Sequence, residues 1–386
     1  MDRIYLDHNA TSPLRPVVTD AVTSFVSQPF GNPSSIHEEG RRTRQALDRA
    51  REEVAAFLGV PPGEIVFTSG GTEANHLAWN SFARPDARIA TTAVEHPSIL
   101  AAAESAAKRG ATIVHLGIDR NGKLDEEALR KLIETGADLL SIQAANNETG
   151  ILFSVDEIIQ KVRGKVRTIH VDAVQAVGKI DLDGTALGAD LISISGHKLG
   201  ALPGTGALYA RKGSPFESIW QGGHQERGKR TGTENIVGIV ALGAACRHLS
   251  THRAEETERI QRLRDRFESE VLRKIPGAQV TGFGRPRLPN TSHIRFDDLD
   301  GESLLIAADL EGISCSAGAA CSSGSIQPSH VLLAMGMTEA EARGSIRFSL
   351  GWSTTKKEVA RALELLPRLV TQVREKTEKR VRKAAL

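Results

Sequence analysis

Cysteine is scarce in this chain: three residues in 386, at Cys246, Cys315 and Cys321. Three thiols make no disulfide framework. A reducing compartment is the simplest reading, and there a cysteine is a catalytic or an inert thiol rather than half of a bridge. A charge excess of one sign is also missing. The 49 basic and 47 acidic residues leave a net charge of +2, so no basic field points to direct nucleic-acid or membrane binding. No run approaches the ~18 apolar residues of a membrane span. The opening Met1-Asp2-Arg3-Ile4-Tyr5-Leu6-Asp7 has no apolar signal core. A cytoplasmic protein is the expectation. Internal repeats and low-complexity tracts are lacking too. The 40% hydrophobic and 25% charged content is that of an ordinary globular protein, with length for two domains or one large one.

What is present is alternation. Short apolar, strand-like runs occur at Ile65-Val66-Phe67, Arg88-Ile89-Ala90, Thr112-Ile113-Val114, Leu139–Ile142, Ile169-His170-Val171 and Leu191–Ile194. The segments between them are long enough for crossover helices. That is the signature of a mostly parallel α/β sheet covered on both faces. The last third reads differently. Ile260, Leu263, Phe267, Val271 and Ile275 recur in steps of three and four, predicting an amphipathic helix over Ala254–Ile275 that Pro276-Gly277 ends. A strand over Thr291–Phe296 and helices over Glu339–Arg343 and Lys356–Val370 complete a smaller α+β domain. The basic tail Lys376–Leu386 reads as a solvated helix end. The expected boundaries put residues 15–252 in a large domain and 1–14 with 253–386 in a small one.

Chemistry concentrates where strand runs stop. Lys198 follows Leu191–Ile194 and the stop Ser195-Gly196, at the strand end where open α/β sheets place their ligands. A lone lysine there is most often a surface residue. Asp172 ends the run Thr168–Val171 in the same way, with Gln175 three residues on; alone, it is as well read as a helix N-cap. Together, an amine for an aldehyde and a carboxylate for a ring nitrogen suggest pyridoxal phosphate. Ser195 and His197 are donors suited to its phosphate. The turn Thr68-Ser69-Gly70-Gly71-Thr72-Glu73-Ala74-Asn75 adds glycines and a helix start that attract anions.

Four further residues are candidates. His96, in Glu95-His96-Pro97-Ser98, can stack on a ring and shuttle protons, although a lone histidine is more often structural. Asn147 follows the Leu139–Ile142 run. Arg347 alternates with apolar residues in Ser345–Ser349 and needs a partner, either a substrate carboxylate or a structural salt bridge. Cys321 lies in Ser314–Gly324, a stretch of small residues whose composition describes a mobile, exposed loop. Its five-residue gap from Cys315 matches no common zinc spacing, so no metal is expected and the thiol reads as a nucleophile if its pKa is lowered. Cys246, in an Ala/Leu-rich helical stretch, reads as buried and inert.

In this order the motifs resemble the cysteine desulfurases of the class V aminotransferase group, within the pyridoxal-phosphate fold-type I family. The resemblance runs from Tyr5–Thr11 through Thr68–Asn75, Glu95-His96-Pro97, Asn146–Gly150, Val171–Gln175, Ser195–Lys198, Gln225–Gly228, Gly232-Thr233 and the Cys321 loop to Ile346–Gly351. It implies a large domain with a mostly parallel seven-stranded sheet plus a smaller α+β domain. It also implies conversion of L-cysteine to L-alanine, with a persulfide left on Cys321. Lys198 would carry the cofactor and move protons, His96 would stack on its ring, Asp172 would pair with the ring nitrogen and Gln175 with the phenolic oxygen. Gly71, Thr72, Ser195 and His197 would cradle the phosphate, with Thr233 reaching it from the second subunit of a homodimer. Asn147, at the cofactor, and Arg347 would hold the substrate carboxylate, with Asn9. The acceptor of the sulfur would be a protein such as an iron–sulfur scaffold or a tRNA-thiolation enzyme. A selenocysteine lyase or another transaminase-type enzyme of the same fold is the alternative. Two departures stand out: Gly200-Ala201-Leu202-Pro203-Gly204 replaces a Gly-Pro-Lys-Gly-like turn, and little chain follows the last helix.

Overall fold

A computed structural model describes residues 3–317 and 327–384, with side chains through residue 377. Seven strands form the main sheet, in the spatial order Ile65–Thr68, Gly206–Ala210, Leu191–Ser195, Val166–Asp172, Ala137–Gln143, Arg88–Thr92, Thr112–Leu116. Gly206–Ala210 runs antiparallel to both of its neighbours, and the other strands point one way. The central strands are buried along their whole length because helices cover both faces. Every expected strand of this sheet is present. Gly206–Ala210 was not among them, because Gly-Ala-Leu-Tyr-Ala lacks the β-branched run that marked the rest.

The small sheet is antiparallel, with Thr291–Phe296 between Ser345–Ser349 and Ala278–Val280. Ile4–Tyr5 pairs in parallel with Ile313–Ser314, so the start of the chain belongs to the small core. Pro16–Val26 then packs into the large core through Val18 and Phe25.

One helix corrects the sequence reading. The element expected over Ala254–Ile275 is the second half of a single helix, Ile236–Lys274. Its Ile236–Leu249 half lies in the large core and its Ile260–Val271 half in the small core. The first half is apolar nearly all round and shows no amphipathic period. It approaches the helix Glu38–Leu58 so closely that a Cβ on Gly243 would lie 2.8 Å from the Ala50 Cα. At the other end of the chain, the helix beginning at Lys356 continues to Ala384, through the basic tail.

Among the described residues, no helix is long and apolar enough to cross a membrane.

Candidate active site at the strand ends

Six parallel strands deliver their C-terminal ends to one edge, and the expected residues gather there. Asp172 and Ser195 are the last residues of their strands, and Lys198 sits in the one-turn helix Gly196–Lys198 immediately after. The Lys198 Nζ donates to the backbone carbonyls of Asn9 and, at 2.7 Å, of Ala10. Burial and the Arg347 charge push its pKa down to about 8, against the opposing pull of Asp7 and Asp172. The amine is therefore a usable nucleophile near neutral pH.

Asp172 is buried and satisfied on both oxygens. The Val174 N–H donates to Oδ1 at 3.0 Å and the Asn75 amide to Oδ2 at 2.8 Å. The Gln175 amide donates to the Asn9 carbonyl at 2.9 Å and accepts from the Lys179 Nζ at 2.7 Å. Lys179 was not anticipated. Burial, Lys198 and Arg347 together hold its pKa well below the usual lysine value. Its sequence signal was weak: a lysine four residues beyond Gln175 in a turn.

The glycine turn has the geometry to cradle an anion. Gly71 opens the helix Gly71–Asn80, whose first-turn amides have no acceptor within the helix. A Cβ on Gly71 would lie 2.7 Å from a Val174 methyl and 3.5 Å from the Ser195 Cβ, so only glycine leaves the floor of this cradle open. Gly70 holds φ at 155°, ψ at −178°, which again requires glycine. Glu73 accepts from the Ser69 N–H and from Arg230, fixing the turn from behind. The Thr72 and Ser195 hydroxyls make no hydrogen bond to the described residues. His197 contacts the Thr11 hydroxyl at 3.1 Å, and burial with the Lys198 charge lowers its pKa to about 4, leaving it a neutral donor or acceptor.

His96 caps the helix Pro97–Lys108 with its own side chain. Although the residue is exposed, desolvation by the surrounding protein lowers its pKa; Lys198 and His330 add to this and Asp172 opposes it. Beside it, Glu95 is fully buried. It accepts from Thr92 and from the Gln143 N–H, and burial raises its pKa to about 8, so this carboxyl carries a proton at neutral pH.

Arg347, Asn147 and Asn9 meet where the two cores adjoin. Arg347 donates to the Asn147 carbonyl at 3.0 Å and to Asp7 at 2.7 Å. The structural salt bridge weighed from the sequence is thus present. Yet the Arg347 Nε is buried with no partner among the described residues, an unsatisfied donor that a rearrangement of the site could use. The Asn9 side chain is occupied by Asn147, Thr291, Asn290 and Lys179, and its carbonyl by Lys198 and Gln175; it braces the site. Thr233 is exposed and lies outside this cluster of contacts.

Cys321 lies outside the described residues. The residues flanking 318–326 are tied to the site: Ser316 exchanges backbone hydrogen bonds with Arg347, Ser329 donates to the buried Glu148, and His330 contacts the Glu95 carbonyl at 3.0 Å. Cys315 is half-buried, and burial with the Asp7 charge pushes its thiol up to about 12. Cys246 is buried, which raises its pKa and leaves it inert.

A buried lysine amine, a buried carboxylate and a glycine-floored helix start on one strand-end edge fit the aminotransferase class-V family, and the chain belongs to it: the family's model matches residues 4–362. A cysteine desulfurase from Trichormus azollae is 44% identical over 381 residues, covering 97% of this chain and 94% of that protein. A solved NifS-like protein superposes with a TM-score of 0.88 at 33% identity, over 96% of this chain and 99% of that one. The structure of SspA in complex with cysteine matches with a TM-score of 0.77 at 28% identity, over 91% and 99%.

Proposed function

We propose that this protein is a pyridoxal-phosphate-dependent cysteine desulfurase. The observation that carries the reading is the Lys198 amine, brought to a pKa of about 8 on the same edge as Asp172 and the Gly70-Gly71 cradle. The chain's likeness over nearly its whole length to a cysteine desulfurase, and its structural likeness to a cysteine complex, set the substrate class.

The residues present fit the cofactor. Lys198 would bear its aldehyde, Asp172 would face its ring nitrogen, and Gln175 its phenolic oxygen. Gly71, Thr72, Ser195 and His197 would hold its phosphate. When bound, pyridoxal phosphate supplies an electron sink that stabilises negative charge on the substrate carbons. Arg347 and Asn147 orient the substrate carboxylate, with Asn9 holding Asn147 in place. The Lys198 Nζ, once released, accepts and returns protons at the substrate carbon, and His96 serves as a second proton carrier. The Cys321 thiolate takes the substrate sulfur: its Sγ bonds to that sulfur, the carbon–sulfur bond breaks, and the carbon gains a proton. L-Alanine leaves and a persulfide stays on Cys321. Anchoring of Ser316 and Ser329 to the site on either side of 318–326 supports this role. The persulfide would pass to an acceptor protein, such as an iron–sulfur scaffold or a tRNA-thiolation enzyme. A cytoplasmic homodimer, with Thr233 completing the neighbouring phosphate site, is the assembly that goes with this reading.

The test is mass spectrometry of tryptic peptides after incubation with L-cysteine. One extra sulfur on the Cys321 peptide is expected, and none in Cys321→Ala. Full sulfide release by Cys321→Ala would overturn the persulfide route.

A further inference from the structure

A chain of hydrogen bonds of fixed direction joins Asp172 to His96. The Asn75 Nδ2 donates to the Asp172 Oδ2 at 2.8 Å and to the Ser98 Oγ at 3.0 Å, which uses both of its protons. The group facing a carboxylate must be a donor, so the orientation of the Asn75 amide is settled. The Ser98 Oγ, accepting from Asn75, lies 2.8 Å from the His96 Nδ1, and the Ser98 backbone N–H lies 3.1 Å from the same nitrogen. A backbone N–H can only donate, so Nδ1 is an acceptor and the hydroxyl proton also points to it. The single proton of the neutral ring is then on Nε2, which makes no hydrogen bond to the described residues.

This order has a cost. The Asn75 Oδ1 is buried with no partner among the described residues, and an orphaned buried acceptor is destabilising. Packing alone does not require it, because an apolar side chain of similar volume would leave no orphan.

We propose that Asn75 and Ser98 are positioning residues that lock His96 in the Nε2–H tautomer, so that its proton exchange runs through Nε2 alone. The role in catalysis rests on the desulfurase reading; the tautomer does not. Nδ1 protonation would set a new N–H against the Ser98 N–H, so the locked ring resists charging. The charged and titratable groups facing it are Asp172, Lys198, His330 and His197.

The experiment is nitrogen-15 NMR of histidine-labelled holoenzyme and apoprotein across pH 6–9, with His96 assigned by the loss of its signals in His96→Gln. The expected wild-type pattern is an unprotonated Nδ1 and a protonated Nε2 throughout. Asn75→Ala and Ser98→Ala each remove the hydroxyl's fixed direction. The Ser98 backbone N–H still faces Nδ1 in both, so each should weaken the lock without abolishing it: the Nδ1–H form should rise to a measurable minority, the acidic limb of the kcat profile should shift upward, and kcat should fall up to about tenfold with KM little changed, the scale of one hydrogen bond. Ser98→Thr, which keeps the hydroxyl, should restore the wild-type pattern. A His96 proton on Nδ1, a charged ring at neutral pH, or variants with unchanged tautomer and pH profile would overturn the proposal. If the chain captured no pyridoxal phosphate by visible absorbance, the desulfurase reading would fail while the tautomer measurement still decided this one.

Discussion

A lysine amine joins an aldehyde only after losing its proton, and Lys198 loses it near pH 8. Capture of pyridoxal phosphate by the apoprotein should therefore speed up as pH rises through about 8, followed by visible absorbance; a midpoint near the ordinary lysine value of 10.5 would contradict the burial argument. Stability is linked with the same sign. Between about 8 and 10.5 the unfolded chain keeps a proton on this amine that the folded chain has released, so this group's contribution to stability rises with pH across that window. Arg347 has a different task. Arg347→Lys keeps a charge for Asp7 but loses the planar fork and the vacant Nε. KM for L-cysteine should rise about 10- to 100-fold, the range for lost charged hydrogen bonds, with kcat changed far less. An unchanged KM would remove Arg347 from substrate binding.

Among the elements, the helix Ile236–Lys274 sets two effects against each other at Gly243. Alanine there gains about 1 kcal/mol of helix propensity. Its Cβ, however, would meet the Ala50 Cα at 2.8 Å, and backbone of a neighbouring helix cannot swing aside as a side-chain tip can. Overpacking of about 1–3 kcal/mol should win, so Gly243→Ala should lower the urea midpoint; a higher midpoint would show that the helices have room to part. The same helix shows where sequence reading reached its limit. Ile260–Val271 was legible because one face is apolar and the other polar, whereas Ile236–Leu249 meets protein on most sides and shows no such alternation. Parallel strands were legible for the opposite reason: burial on both faces leaves β-branched runs that end at Asp172 and Ser195.

For the molecule as a whole, the site draws on both cores. Lys198, Asp172 and the glycine turn were legible because each sits at a strand end. The Asn75–Ser98 link and Lys179 were not, since what they do depends on contacts between residues far apart in the chain. Thr233 extends the question to two chains. If it completes a neighbour's phosphate site, mixing Lys198→Ala with Thr233→Asp subunits should regain about a quarter of wild-type activity, because half of randomly paired dimers hold one intact site. No regain on mixing, with exchange of subunits verified by native mass spectrometry, would place Thr233 in its own subunit's site or outside any site.

The pairing of Ile4–Tyr5 with Ile313–Ser314, and of Asp7 with Ser349, has a consequence for synthesis. The carbonyls of Asn9 and Ala10 that receive the Lys198 amine follow a strand whose partner lies far later in the chain. At ribosomal speeds of ~5–20 residues per second, the opening strand waits roughly 15–60 s for Ile313 to follow Ile4 off the ribosome. Throughout that interval the large core can fold, but the lysine pocket stays unfinished, and a nascent chain should take up cofactor only after Ser314 has emerged.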